Sequence, residues 1–224
     1  MEQEQGGDLV LIGAGGFGRE TVQAIEAVNQ AGGRWQLLGF LDDDPARRGT
    51  MVEGTPILGG REELRRLPGA RVVVCTGRPS DYTSRLRLVT ALGLPPERYA
   101  TIVHPSVAIS ASSCIGPGSV LLAHVALTTA VRVGAHVAIM PHVTLTHDVV
   151  IDDFVTIASG VRLGGGARAA RAAYLGAGSI IGEGRTVGEF SLVGMGAVVT
   201  RNIPASEIWA GVPARRLRGA DVTV

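Results

Sequence analysis

The sequence predicts two units in series, a small parallel α/β unit over residues 1–100 and a parallel β-helix over residues 101–224. Three observations carry that division. A six-residue repeat runs without insertion from Thr101 to Asn202. Before it, apolar strands alternate with stretches of helical spacing. A glycine-rich turn, "GAGGFG", joins the first of those strands to the first helix.

The first unit opens with "DLVLIGAGGFG", an apolar strand closing on the glycine turn. "RETVQAIEAVNQ" follows with helical spacing. "WQLLGFLDDD" reads as a second strand ending on three carboxylates, "REELRRL" as a short helix and "ARVVVCTG" as a third, buried strand. "SDYTSRLRLVTALGL" is a further helix, stopped by Pro95 and Pro96. The joint to the second unit falls near residues 99–104.

Gly13, Gly15 and Gly18 match G-x-G-x-x-G between strand and helix, which makes the unit Rossmann-like. Asp42 and Asp43 end the second strand, where such folds meet a ribose hydroxyl. A full dinucleotide site needs two such halves, and the stretch before the repeat supplies one. A nucleotide-linked substrate therefore fits better than NAD. Ligands of open α/β sheets gather at the carboxyl ends of strands, which adds Gly77 and Arg78 to the same edge, Arg78 as a phosphate contact. The competing readings are close helix–strand packing for the glycines and a solvated side chain for Arg78.

From Thr101 the chain divides into seventeen hexads, and the third position is Val, Ile or Leu in all but one, Ala169. A period of six fits neither a helix nor a free amphipathic strand. It fits a triangular coil in which each hexad is one flat side plus a corner. Third-position aliphatics then stack inward in columns. Each coil satisfies the backbone groups of the next at a spacing of about 4.8 Å. Glycines that follow the aliphatic residue, such as Gly116, Gly134, Gly164 and Gly176, are read as corners supplying a backbone conformation that a β-carbon resists. The hexad "ARAARA" is expected to leave a loose coil near residues 167–172, because Ala169 fills its column poorly. A sandwich or barrel is disfavoured, since its loops vary in length and would break the register.

Composition narrows the function. Hydrophobic residues are 46% and charged residues 18%, as in a folded soluble protein. A formal net charge of +1 makes no electrostatic case for nucleic acid or a membrane surface. Every basic residue is Arg, so no Lys nucleophile or Schiff base exists. Cys75 and Cys114 form no metal-ligand pattern and have no neighbouring His, and the expected compartment is the reducing cytoplasm. The start "MEQEQGGD" lacks the basic and apolar regions of a signal peptide. No run approaches the roughly 18 apolar residues that a membrane helix needs.

The repeat carries five histidines. His124, His136 and His142 occupy sixth positions, expected to face outward, and no metal site is assigned to them. His104 is read as shaping the joint. His147 sits at a fifth position with Asp148 beside it, and adding eighteen residues places Gly165 one coil above. An imidazole beside open backbone N–H groups is the geometry acyl transfer needs. The imidazole can accept a proton near neutral pH, and the carboxylate can fix its tautomer. The bland alternative is a solvated surface pair.

The hexads, "THDVVIDDFVTIASGVRLGGG", "GMGAVVTRNIPASEIWAGVPARRLR" and "GAGGFGRE…FLDDD" together resemble the bacterial sugar acetyltransferase family. That family includes sialic acid O-acetyltransferases and N-acetyltransferases of UDP-4-amino-sugars of the bacillosamine and perosamine type. The resemblance spans nearly the whole chain. It implies a left-handed β-helix, a homotrimer, and acetyl-CoA held between neighbouring β-helices. By position it makes His147 the catalytic base, Asp148 its orienting acid and Gly165 the donor near the acetyl carbonyl. Ala177 and Met195 fall where the pantetheine arm meets backbone groups. Gly13, Gly15, Gly16, Asp42, Asp43, Gly77 and Arg78 fall at the nucleotide-sugar site. The tail "WAGVPARRLR" resembles the segment along the adenine end of CoA.

This chain departs from the family at Met140, where relatives often have Asn, and at Thr156, where a second His is common. Asp44 stands where a relative has a basic residue after the acidic pair. The implied reaction is acetyl transfer from acetyl-CoA to an amino group of a UDP-linked sugar by direct attack, with no metal. O-acetylation of sialic acid or another sugar hydroxyl, and a non-catalytic nucleotide-binding role, are the alternatives.

Overall fold

The computed structural model describes residues 6–222. The acidic start read for a leader lies partly in residues 1–5, outside the described residues. The first unit runs β1 (Gly6–Ile12), α1 (Gly16–Gln30), β2 (Arg34–Leu41), β3 (Met51–Val52), β4 (Thr55–Gly59), β5 (Arg71–Val74) and α2 (Ser84–Leu92). Its sheet has the order β3-β4-β2-β1-β5, parallel except for the short β3–β4 hairpin. Leu9, Val10, Leu11 and Ile12 are all buried, as a central parallel strand covered on both faces requires. α1 turns Val22, Ala24, Ile25 and Val28 to that core. Each Val or Ile so buried contributes about 1.5–3 kcal/mol.

Three details differ from the sequence reading. β3 and β4 extend the sheet beyond the three expected strands; a turn at Gly54 folds this short stretch back on itself. "REELRRL" is a 3-10 helix over Arg61–Arg66. α2 ends at Gly93, whose left-handed conformation (φ 56°) closes it before the prolines.

The repeat forms seventeen two-residue strands, one per hexad from Ile102–Val103 to Val198–Val199, stacked as three parallel faces. The register advances by eighteen throughout, as in Ala126, Thr144, Arg162, Ile180 and Val198. Leu121, Ile139, Ile157, Leu175 and Val193 form one inward column, fully buried. The chain as a whole is a Rossmann-like half-domain followed by a left-handed parallel β-helix.

Two expectations about the repeat are overturned. The left-handed corner conformation belongs to the sixth position, at every hexad from Gly118 to Gly196, and His124, Asp148, Phe154 and Ala172 adopt it as well as glycine. The fourth-position glycines are needed for space instead. A β-carbon at Gly116 would lie 2.6 Å from the carbonyl carbon of Gly134, and one at Gly176 would lie 2.6 Å from the nitrogen of Met195. The coil through "ARAARA" is regular: Ala169 is fully buried and pairs in register with Ile151 and Val187.

One face of the prism, carrying the strands Val120–Leu121, Ala138–Ile139, Thr156–Ile157 and Tyr174–Leu175, receives the first unit. Ile102, Val120 and Leu122 share a continuous core with Leu9, Ile25 and Phe40. Beyond Leu192–Val193 the face is extended by Glu207–Ala210, which pairs antiparallel with Arg215–Gly219. Among the described residues no helix is long and apolar enough to cross a membrane.

Candidate active site

The glycine turn, the strand ends and the coil enclose a cleft of about 660 Å³. Gly13, Gly15, Gly16, Asp42, Gly77 and Arg78 line it, as the sequence reading placed them on one edge. Gly13 needs its glycine for a positive φ of 98°. Gly18 needs its for contact, since a β-carbon there would lie 2.3 Å from the Gly13 carbonyl oxygen. Asp42 accepts hydrogen bonds from the Ala14 N–H (3.0 Å) and the Arg47 Nη1 (2.8 Å), and so anchors the turn. Asp43 does not join it. That carboxylate is exposed and accepts from the Arg61 N–H at 3.0 Å.

Met140 and Thr156, the two departures on the acceptor side, form part of the same cleft, together with Tyr174. Tyr174 was not read from the sequence, although adding eighteen to Thr156 would have found it. Arg47 was also missed. It reaches the cleft from three residues beyond Asp44 and puts a guanidinium beside the glycine turn.

His147 lies elsewhere, on a corner of the β-helix. Its Nδ1 is 2.9 Å from Asp148 Oδ2. With the carboxylate as acceptor, Nδ1 carries the proton and Nε2 keeps its lone pair. A β-carbon at Gly165 would sit 2.3 Å from both Cε1 and Nε2 of His147, so only glycine lets the ring lie there. The Gly166 N–H donates to the His147 carbonyl at 2.9 Å, and among the described residues no acceptor takes the Gly165 N–H. A free lone pair and an open N–H donor thus share one corner, the pairing that proton removal and oxyanion stabilisation require.

Ala177 and Met195 sit on a neighbouring corner, one coil apart, with the Met195 side chain 81% exposed. The His147 corner joins the two faces that do not carry the first unit, and so is the vertex opposite the cleft. A single chain therefore brings His147, Asp148 and Gly165 together and separates them from the cleft.

The other histidines take different environments. His136 is buried, correcting its expected outward position; it stacks on Phe154 (5.1 Å) and meets Tyr99 edge-on (4.5 Å). Burial, helped by the nearby charge of Arg85, pushes its pKa down to about 4. His124 and His142 remain exposed and stack at 5.0 Å. Among the described residues no group of three or more His, Cys, Asp or Glu is placed to hold a metal. The Cys75 thiol is buried, and burial pushes its pKa up to about 12, which leaves it a poor nucleophile at neutral pH.

Comparison with known proteins fits this arrangement. Residues 8–86 match the PglD N-terminal domain. A UDP-N-acetylbacillosamine N-acetyltransferase of Bacillus subtilis (strain 168) is 30% identical over 127 residues. That match covers 52% of this chain and about half, 51%, of the relative's length. The acetyltransferase domain of PglB from Neisseria gonorrhoeae FA1090, solved in complex with acetyl coenzyme A, superposes with a TM-score of 0.81 at 28% identity, over 95% of this chain and 100% of that one. A histidine-to-alanine mutant of GDP-perosamine N-acetyl transferase from Caulobacter crescentus, solved with CoA and GDP-perosamine, superposes with a TM-score of 0.82 at 26% identity, over 94% and 97%. The fold, a β-helix preceded by a Rossmann-like unit, is the one these acetyltransferases share. The chain is thus similar to sugar N-acetyltransferases of the bacillosamine and perosamine type.

Proposed function

We propose that this protein transfers an acetyl group from acetyl-CoA to the amino group of a nucleotide-linked sugar. The observation that carries the reading is the corner shared by His147, Asp148 and Gly165. Nε2 of His147 removes a proton from the attacking amine, and the C–N bond forms as the thioester carbonyl becomes tetrahedral. The Gly165 N–H donates to the resulting oxyanion. Collapse breaks the C–S bond, and His147 returns the proton to the thiolate of CoA. Asp148 holds the ring in the required tautomer. The raised Cys75 thiol supports direct attack over an acyl-enzyme.

The nucleotide occupies the cleft of the first unit, where Gly13, Gly15, Gly16, Gly77 and Arg78 surround it and Asp42 holds the turn in shape. Asp43 has no contact role in this reading, because it pairs away toward Arg61. Since the cleft and His147 lie on opposite sides of one chain, the working site is built from two chains. A cyclic homotrimer satisfies that need: the cleft of one protomer meets the His147 corner of its neighbour, with acetyl-CoA along the groove where Ala177 and Met195 present their backbone. Domains over residues 1–100 and 101–224 then divide the labour, acceptor to the first and donor to the second. The cytoplasm, where acetyl-CoA and nucleotide sugars are made, is the expected setting.

Thiol release from acetyl-CoA tests the reaction against UDP-4-amino-sugars, a GDP-linked 4-amino-sugar and free sialic acid. Release with an amino-sugar nucleotide and none with sialic acid supports N-acetylation. The reverse pattern supports the O-acetyltransferase reading. Silence with every acceptor would overturn both.

A further inference from the structure

We propose that Arg85, buried behind the cleft wall, supplies the counter-charge for the diphosphate of the nucleotide that the cleft binds; this rests on the nucleotide-sugar reading of that cleft. Arg85 is 1% exposed and lies on α2. Its Nε donates to the His136 carbonyl at 2.7 Å and its Nη1 to the Thr76 carbonyl at 2.6 Å. Its Nη2 donates to the Thr156 hydroxyl at 2.7 Å and to the Phe154 and Val155 carbonyls at 3.1 Å. All these acceptors are neutral. Among the described residues no carboxylate pairs with Arg85, and a buried charge is ordinarily paired. Burial lowers its pKa only to about 10, so the group stays charged at neutral pH.

The unpaired charge lies directly behind the ligand space. A β-carbon on Gly77 would be 3.0 Å from Arg85 Nη1, and Thr76 and Gly77 both line the cleft. The other charges around the cleft do not favour an anion. Glu20, Asp42 and Asp81 face Arg47 and Arg78, Arg47 is tied to Asp42, and Asp81 is tied to Arg87. Arg85 shifts that balance toward an anionic ligand. The N-terminal ends of α1 and α2, at Gly16 and Ser84, face the same space and add to the effect.

A purely structural clamp would look similar in geometry, since Arg85 also ties α2 to the coil. The two roles separate in ligand discrimination. Titration calorimetry on the full chain would compare UDP with uridine and GDP with guanosine, for wild type, Arg85→Lys, Arg85→Met and an Arg47→Ala/Arg78→Ala double variant. The expected result is a diphosphate preference over the nucleoside that falls at least about tenfold in Arg85→Met, with nucleoside affinity held within about threefold. Arg85→Lys keeps most of the preference, and the double variant keeps at least about tenfold of it.

An unchanged preference in Arg85→Met overturns the inference. If that variant fails to fold, loss of the preference in the double variant overturns it instead, because Arg47 and Arg78 would then carry the whole effect. Absence of any nucleotide binding by wild type refutes the nucleotide reading itself, a separate outcome from bound nucleotide with Arg85 irrelevant.

Discussion

The imidazole of His147 rests on the backbone of Gly165, so close that a β-carbon at 165 would lie 2.3 Å from Nε2. One coil of the β-helix separates the two residues, and the repeat register alone brings them together. Replacing Gly165 with Ala must push the ring off its position while leaving the column of the core untouched. The expected outcome is a fall in kcat of roughly 10²-fold or more, with a melting temperature close to wild type. Parallel kinetics and thermal melts check it. Unchanged kcat in a folded Gly165→Ala protein would remove this contact from the mechanism.

A site split between two chains predicts complementation. His147→Ala removes the proposed base, and Gly15→Trp fills the cleft from a position with open space around it. Each variant alone is expected to be inactive. Mixed trimers formed by co-expression should recover about a quarter of wild-type activity, the fraction of interfaces that pair an intact cleft with an intact His147. No recovery, in mixtures shown to contain both chains, would place the site within one protomer.

His136 makes stability depend on pH. Its folded pKa of about 4 lies below the ordinary 6.5 of the unfolded chain. Between those values the unfolded state binds more protons, so stability rises with pH across the window. The contribution is complete above about pH 6.5 and is lost as pH falls toward about 4. Urea unfolding midpoints at pH 7 and pH 4.5 should drop less in His136→Phe, which keeps a ring between Phe154 and Tyr99, than in wild type. Equal drops would show that other groups set the acid limb.

The two kinds of glycine in the repeat should differ in what substitution costs. Gly176→Ala places a β-carbon 2.6 Å from the Met195 nitrogen, and a loss of about 1–3 kcal/mol is expected. Gly178→Asn adopts a left-handed corner with open space, as Asp148 already does, and should cost about 1 kcal/mol or less. Denaturant titrations of the two variants check the order. The opposite order would mean that conformation, not contact, governs the fourth position.

Much of this was legible in the sequence, because a repeat of fixed length converts residue numbers into positions in space. His147 and Gly165 were brought together by counting eighteen, and the same count from Thr156 reaches Tyr174. What counting cannot supply is the backbone angle. The glycine-rich fourth positions looked like corners, while the left-handed corner proved to be the sixth, where His, Asp and Phe also stand.

Contacts between the two units were equally hidden. Nothing in "SRLRL" singles out Arg85, and it is the packing of α2 on the coil that buries it. His136 is buried by the same junction. The adjacent acidic residues at 42 and 43 looked equivalent, but Arg47 and the Ala14 N–H hold the first at the cleft, and Arg61 draws the second away. Partner residues from distant stretches decided each of these cases.

The most direct test of the central claim is the steady-state rate of acetyl transfer to a nucleotide-linked amino-sugar by wild type and by His147→Ala, with both shown to be folded. The corner geometry predicts a drop in kcat of about 10²–10⁴-fold with little change in KM for acetyl-CoA. A folded His147→Ala protein with wild-type kcat would contradict it.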